Sequence, residues 1–212
     1  MRYLADAAAL ARKDLLLELR GRETLPSMLL FVIAMLVAFR FALTDEGAEA
    51  ADGLLWVAIV FTALLGLGRA FVAEREQGLL DGLVLAPCDR SAIWLGKLLA
   101  TLAFLVAAEV IALPAFALFF DSSLDGGTLL AVLLADIGIC AVGTLLAAMA
   151  VAGRARELLL PLLFLPLAIP IVVGGVGATV AADPGRYLGF LALYDIIFAI
   201  LAWGTFEYVV TE

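Results

Sequence analysis

Six stretches of this chain are each long and apolar enough to cross a bilayer as a helix, and this decides most of what the chain can fold into. Crossing the hydrocarbon takes about 20 mostly apolar residues, and windows at roughly 25–43, 53–72, 93–120, 127–151, 157–181 and 186–209 qualify. With 65% hydrophobic and 16% charged residues, the composition does not fit a soluble globular domain, whose apolar share is usually about half. The expected fold class is all-α: a polytopic membrane protein with six transmembrane helices, an N-terminal interfacial amphipathic helix and a short cytoplasmic helix between spans two and three. The connections 44–52, 73–92, 121–126, 152–156 and 182–185 are too short for a second domain, so residues 1–212 read as a single unit.

Orientation follows from where Lys and Arg fall. Placing the first connection outside puts Arg2, Arg12, Lys13, Arg20, Arg22, Arg69, Arg75, Arg90, Lys97, Arg154 and Arg156 at the cytoplasmic face and leaves Arg40 and Arg186 opposite. The net charge of -8 does not bear on this, because the rule counts cations in short loops. Both termini are therefore expected in the cytoplasm. Asp6, Arg12 and Lys13 interrupt the apolar run that a cleaved signal peptide would need, so the N-terminal segment is expected to be retained. Within residues 1–24, Leu4, Ala8, Ala11, Leu15 and Leu19 recur at helical spacing with Arg2, Lys13 and Arg20 on the far side, the pattern of a helix in the interface plane that ends near Gly21 and Pro26. Its role is either a lipid-surface anchor or a grip on a partner.

The absence of histidine removes the commonest general base, metal ligand and haem axial ligand together. Zinc proteases of the His-Glu-x-x-His type and His-assisted serine hydrolases fail on that ground. Tyr194-Asp195 faintly resembles an intramembrane aspartyl protease, but its Gly-x-Gly-Asp partner is missing and Leu134-Ala-Asp136 does not supply it. Catalysis by this chain is not expected. Cys88 and Cys140 give no disulfide framework, and no nucleic-acid partner is expected.

Three carboxylates, Glu109, Asp136 and Asp195, sit within apolar windows, where each costs a few kcal/mol unless it faces the bundle interior, a watery cavity or a proton. They are candidates for a substrate or proton path; the structural alternative is a helix–helix hydrogen bond. In the fifth window, Pro161, Pro166 and Pro170 precede Gly174, Gly175 and Gly177, which predicts a kinked or broken helix. The run Gly174-Gly-Val-Gly-Ala-Thr179 lacks the Lys-Ser/Thr ending of a phosphate loop and reads as small-residue helix packing.

The second connection mixes charge and grease. Leu79, Leu80, Leu83 and Val84 share a helical face, Glu74, Glu76 and Asp81 bring charge, Gly78 and Gly82 permit close approach, and Pro87 closes the segment. Such a helix, lying along the membrane surface, suits contact with a cytoplasmic partner; the alternative is an interfacial connector without one.

The block Phe71-Val-Ala-Glu-Arg-Glu-Gln-Gly-Leu-Leu-Asp-Gly-Leu-Val-Leu-Ala-Pro87, with Gly96-Lys97 opening the next span, resembles the membrane subunits of type-2 ABC exporters. Together with Ala11-Arg-Lys-Asp-Leu-Leu-Leu-Glu-Leu-Arg20, the length and the six spans, the whole chain is similar to the haem exporter protein B family (CcmB), the permease of cytochrome c maturation. The resemblance implies a type-2 ABC transmembrane domain in the cytoplasmic (inner) membrane, dimeric or part of a hetero-oligomer. It also implies a separate ATP-binding-cassette subunit, further cytochrome c maturation subunits and a haem chaperone. Glu74, Glu76, Gly78, Leu80, Asp81 and Pro87 would then form the partner-coupling block, and Arg12, Lys13 and Asp14 the N-terminal one. No cofactor is expected on this chain itself: ATP belongs to the partner, and haem to the complex. Many relatives carry a His shortly after the lysine matching Lys97, where this chain has Thr101. Two other readings stay open at this point: a type-2 permease for a lipid, drug or polysaccharide, and a stand-alone proton-coupled transporter using the three intramembrane acids.

Overall fold

In the computed structural model, which describes residues 2–43, 50–76, 78, 88–152, 156–181 and 183–211, every regular element is helical. The described helices are α1 (Arg2–Gly21), α2 (Thr24–Ala42), α3 (Ala51–Arg69), α4 (Val72–Glu76), α5 (Arg90–Phe120), α6 (Gly126–Ala152), α7 (Arg156–Val180) and α8 (Pro184–Thr211). All but α1 and α4 are long and apolar enough to span a membrane. The all-helical outcome is forced: hydrocarbon offers no partner to a backbone N–H or C=O, and an α-helix satisfies both within itself.

Short polar side chains set the helix starts. Asp89 Oδ1 accepts the Ser91 N–H at 2.9 Å ahead of α5, Asp125 Oδ1 accepts the Thr128 N–H at 2.7 Å ahead of α6, and Asp183 Oδ1 accepts the Gly185 N–H at 3.2 Å ahead of α8. A sharper device turns α1 into α2. Arg22 takes a left-handed conformation (φ 53°), and the Glu18 carboxylate on α1 accepts the Thr24 and Leu25 N–H groups at 3.1 and 2.8 Å, so one helix caps the next.

α6 is the axis of the bundle: α7 and α8 pack along it, α5 and α3 flank it, and α2 stands outside against α3 and α5. Lipid-like surroundings do not drive apolar surfaces together, so close fit must. The glycines supply it. A Cβ on Gly143 would come 2.2 Å from the Leu67 side chain, on Gly175 2.5 Å from the Trp56 ring, and on Gly177 2.2 Å from the Tyr187 ring. The glycine run of the fifth span is thus a set of seats for aromatic rings. Polar tips tie the same contacts: Trp56 Nε1–H donates to Thr179 Oγ1 at 3.0 Å and Trp94 Nε1–H to the Ala141 carbonyl at 3.1 Å.

Of the kinked and broken alternatives for the proline-rich fifth span, the broken one is overturned: α7 runs as one helix through Pro161, Pro166 and Pro170. Neighbouring helices hold this stretch: Tyr194 O–H of α8 donates to the Leu167 carbonyl at 2.8 Å, one residue past the Pro166 carbonyl that Pro170 leaves without a helical N–H. The N-terminal helix, in turn, does more than lie on a surface. Ala7 and Ala11 are buried against α5, while Leu4 and Leu19 stay exposed.

Substituting Gly175→Val should destabilise the fold by about 1–3 kcal/mol, the usual cost of overpacking a filled core. Gly204→Ala, where an added Cβ meets nothing within 4 Å, should leave the melting temperature in detergent unchanged or raised. Equal melting of the two variants would refute the seating role of Gly175.

Candidate functional site

The polar centre of the molecule lies where α1, the end of α3, α4 and the start of α5 meet. Its geometry begins with Gly96. A Cβ there would stand 2.7 Å from Leu10 Cβ and 3.0 Å from the Ala7 carbonyl, so only glycine lets α1 settle this closely on α5. That approach carries Asp14 to the neighbouring Lys97. The Lys97 ammonium then meets three acceptors: the Ala70 carbonyl at 2.6 Å, Glu74 Oε1 at 2.7 Å and Asp14 Oδ2 at 2.9 Å. An ammonium has three N–H groups, so this donor set is filled. The Phe71 ring adds a face 4.9 Å from Nζ.

Lys13 closes the cluster from α1, paired with Glu74 Oε1 and lying 3.0 Å from Asp14 Oδ1. Lys97 and Glu74 are each only about 4% exposed, whereas Lys13 is 40% exposed. Two cations and two anions thus neutralise one another at an edge of the bundle. Burial pushes the Glu74 carboxyl up, but the charge of Lys97 and the Lys13 hydrogen bond outweigh it and leave the group below its ordinary value. For Lys13, burial acts downward and is outweighed by Glu74 and Asp14, so its ammonium is held above its ordinary value. Both shifts favour the charged forms.

The sequence-predicted coupling residues separate here. Glu74 is turned inward and its charge is engaged within the molecule, so α4 presents no free Glu74 carboxylate to a partner. Gly78 is exposed with φ +64°, a left-handed turn that side-chain-bearing residues resist, and its N–H donates to the Arg75 carbonyl at 3.1 Å. Glu76 ends α4, and its side chain is outside the described residues, as are Leu80, Asp81 and Pro87. In the N-terminal block Arg12 is exposed, Asp14 joins the cluster, and Lys13 is not on the free far side of α1 but reaches into it. From the sequence, Lys97 stands only among the cytoplasmic cations and at the opening of a span, not at the centre of a cluster. The available signal was a lone lysine preceded by glycine inside an apolar run.

The intramembrane acids form a second polar layer. Glu109 lies 11 residues before the end of α5, Asp136 10 residues into α6 and Asp195 11 residues into α8. At 1.5 Å per residue each is about 15–17 Å from helix ends on the side away from α1, near mid-depth of a roughly 30 Å hydrocarbon layer. All three are buried. Glu109 and Asp136 share the floor of an outward-opening groove between α5 and α6, walled by Val106, Val110, Leu113 and Leu133. Pro114, also in its wall, supplies no N–H to the Val110 carbonyl. Asp195 is elsewhere, against the bare backbone of Gly138, where a Cβ would meet its Oδ1 at 2.5 Å. The structure therefore joins two of the three acids and sets the third apart, without a continuous polar path among the described residues.

Replacing Lys97 with Met should cost about 3–5 kcal/mol, because it leaves Glu74 and Asp14 to share the half-exposed Lys13, one negative charge uncompensated. Arg90→Gln, at an exposed 3.3 Å contact with Glu207, should cost at most about 1 kcal/mol; comparable melting shifts would contradict the assignment. A lipid-soluble carbodiimide should modify Glu109 or Asp136 through their groove, as read by peptide mass spectrometry. No labelling of either would contradict this geometry.

Comparison with known proteins agrees with this architecture. The chain is 33% identical over 172 residues to heme exporter protein B of Rhodobacter capsulatus, covering 79% of each chain. It is 34% identical over 181 residues to heme exporter protein B of Pseudomonas aeruginosa, covering 83% of this chain and 81% of the relative. Heme exporter protein B of Bradyrhizobium diazoefficiens is 30% identical over 201 residues, with 91% and 89% covered. The family model described as CcmB protein matches residues 5–207. This six-span membrane protein, with its lysine-centred charge cluster and buried acids, belongs to the CcmB family.

Proposed function

We propose that this protein is the permease subunit of an ATP-driven membrane complex that handles haem for c-type cytochrome biogenesis. The observation that carries the reading is similarity to proteins named heme exporter protein B along most of the chain. The Lys97 cluster suggests how such a subunit is moved. By joining the end of α3, α4, α1 and the start of α5, it makes the segment after α3 a lever clamped to two spans instead of a loose loop. A push on the surface beyond α4 would reach α3 and α5 through Ala70, Glu74 and Lys97.

The push must come from another polypeptide, because the sequence contains no Gly-x-x-x-x-Gly-Lys-Ser/Thr loop with which to grip nucleotide. ATP hydrolysis is therefore assigned to a cytoplasmic ATP-binding-cassette subunit. The cation distribution favours the lever, α1 and both termini on the cytoplasmic side of the inner membrane, with eleven Lys and Arg on that side against two. With no histidine in the chain, any imidazole ligand to haem iron comes from another subunit or a haem chaperone. The carboxylate–lysine cluster transmits force, and Glu74 acts as an internal link in it.

Affinity purification in mild detergent should bring down a nucleotide-binding subunit, and loss of the chain should deplete membrane-attached c-type cytochromes. Purification of the intact chain with no nucleotide-binding partner, or normal cytochrome content without the chain, would overturn the reading.

A further inference from the structure

A groove outside the charge cluster has the form of a lipid site. α3 packs against both α2 and α7, but α2 and α7 make no substantial contact with each other, so a furrow is left over α3. It holds about 540 Å³, within the roughly 300–1,000 Å³ typical of ligand sites. Phe31, Phe61, Leu64, Leu65 and Leu160 line it, and at the end nearest α1 stand two arginines, Arg69 and Arg75. From Arg69 back to Phe61 along α3 is eight residues, about 12 Å. The arrangement is amphipathic along one axis: guanidiniums at the interface, hydrocarbon below.

We propose that this furrow holds one anionic phospholipid of the leaflet on the α1 side, its phosphate between Arg69 and Arg75 and an acyl chain along Phe61 and Leu65. The charge pattern selects this occupant. Guanidinium forks match phosphate oxygens, and basic pockets between spans at the membrane surface bind acidic headgroups. Arg69 also contacts Glu23 at 3.1 Å, but both side chains are exposed, and exposed pairs hold weakly enough for Arg69 to turn to a phosphate. A zwitterionic headgroup would bring its own cation toward two arginines. Because Arg69 ends α3 and Arg75 sits on α4, the lipid would bridge span and lever. Gly68 lies in the furrow wall, and an added Cβ there meets nothing within 4 Å, so the space can be filled without disturbing the helix.

The test uses the full chain in nanodiscs of mixed phosphatidylglycerol and phosphatidylcholine, with retained lipid read by native mass spectrometry. Wild-type protein should retain phosphatidylglycerol above its bulk share. The Arg69→Gln/Arg75→Gln double variant should lose about thirtyfold of that preference, at about 1 kcal/mol for each of the two arginines. Gly68→Leu should lower retention with both arginines in place, and Arg186→Gln at the opposite face should change nothing. A photoactivatable phosphatidylglycerol should label peptides containing Phe61, Leu65 or Leu160. Undiminished preference in either furrow variant, no preference in wild type, or labelling confined to other spans would overturn the proposal.

Discussion

A lysine ammonium buried at the edge of a hydrophobic bundle must place three N–H groups and one charge, and this chain builds its most connected region around that demand. Lys97 takes one acceptor from the end of α3, one from α4 and one from α1. α1 is remote in sequence from α3 and α4, so the ammonium acts as a junction between them. Apolar contact alone would bind them weakly, since hydrocarbon outside the bundle is as good a partner as hydrocarbon within. Direction and register come instead from the polar links: Lys97 at one end, Trp56 to Thr179, Trp94 to Ala141 and Tyr194 to Leu167 along the body.

The same economy explains the glycines. Gly96 admits α1, Gly143 admits Leu67, Gly175 admits Trp56 and Gly138 leaves room for the Asp195 carboxylate. In each case a missing side chain on one helix is matched by a projecting one on its neighbour. The charge cluster is thus joined to a closely fitted bundle of helices. The furrow over α3 differs: it is the place where two outer helices fail to meet, and it lies directly beside the junction.

Much of this was legible in the chain. The six spans were set by hydrocarbon thickness and appear within a few residues of the apolar windows. The burial of Glu109, Asp136 and Asp195 followed from their flanks. The role of Glu74 was less legible. Its position in a charged block suggested a surface for another protein, whereas its charge is engaged by two lysines distant in sequence. Periodicity also misplaced Lys13, because a long side chain on the edge of a helix can turn toward a buried anion across the groove. The unbroken course of α7 had a similar cause: three prolines weaken a helix in isolation, but neighbours stabilise it in the bundle.

Sequence alone determined the six apolar spans and which ends carry the cations, because these depend on local hydropathy and charge. Tertiary structure decided which acids meet, which lysine becomes the junction and where a furrow remains. Those outcomes depend on how helices far apart in the chain are rotated and seated, and a rotation of one helix about its axis changes every partner without altering the hydropathy that placed it in the membrane.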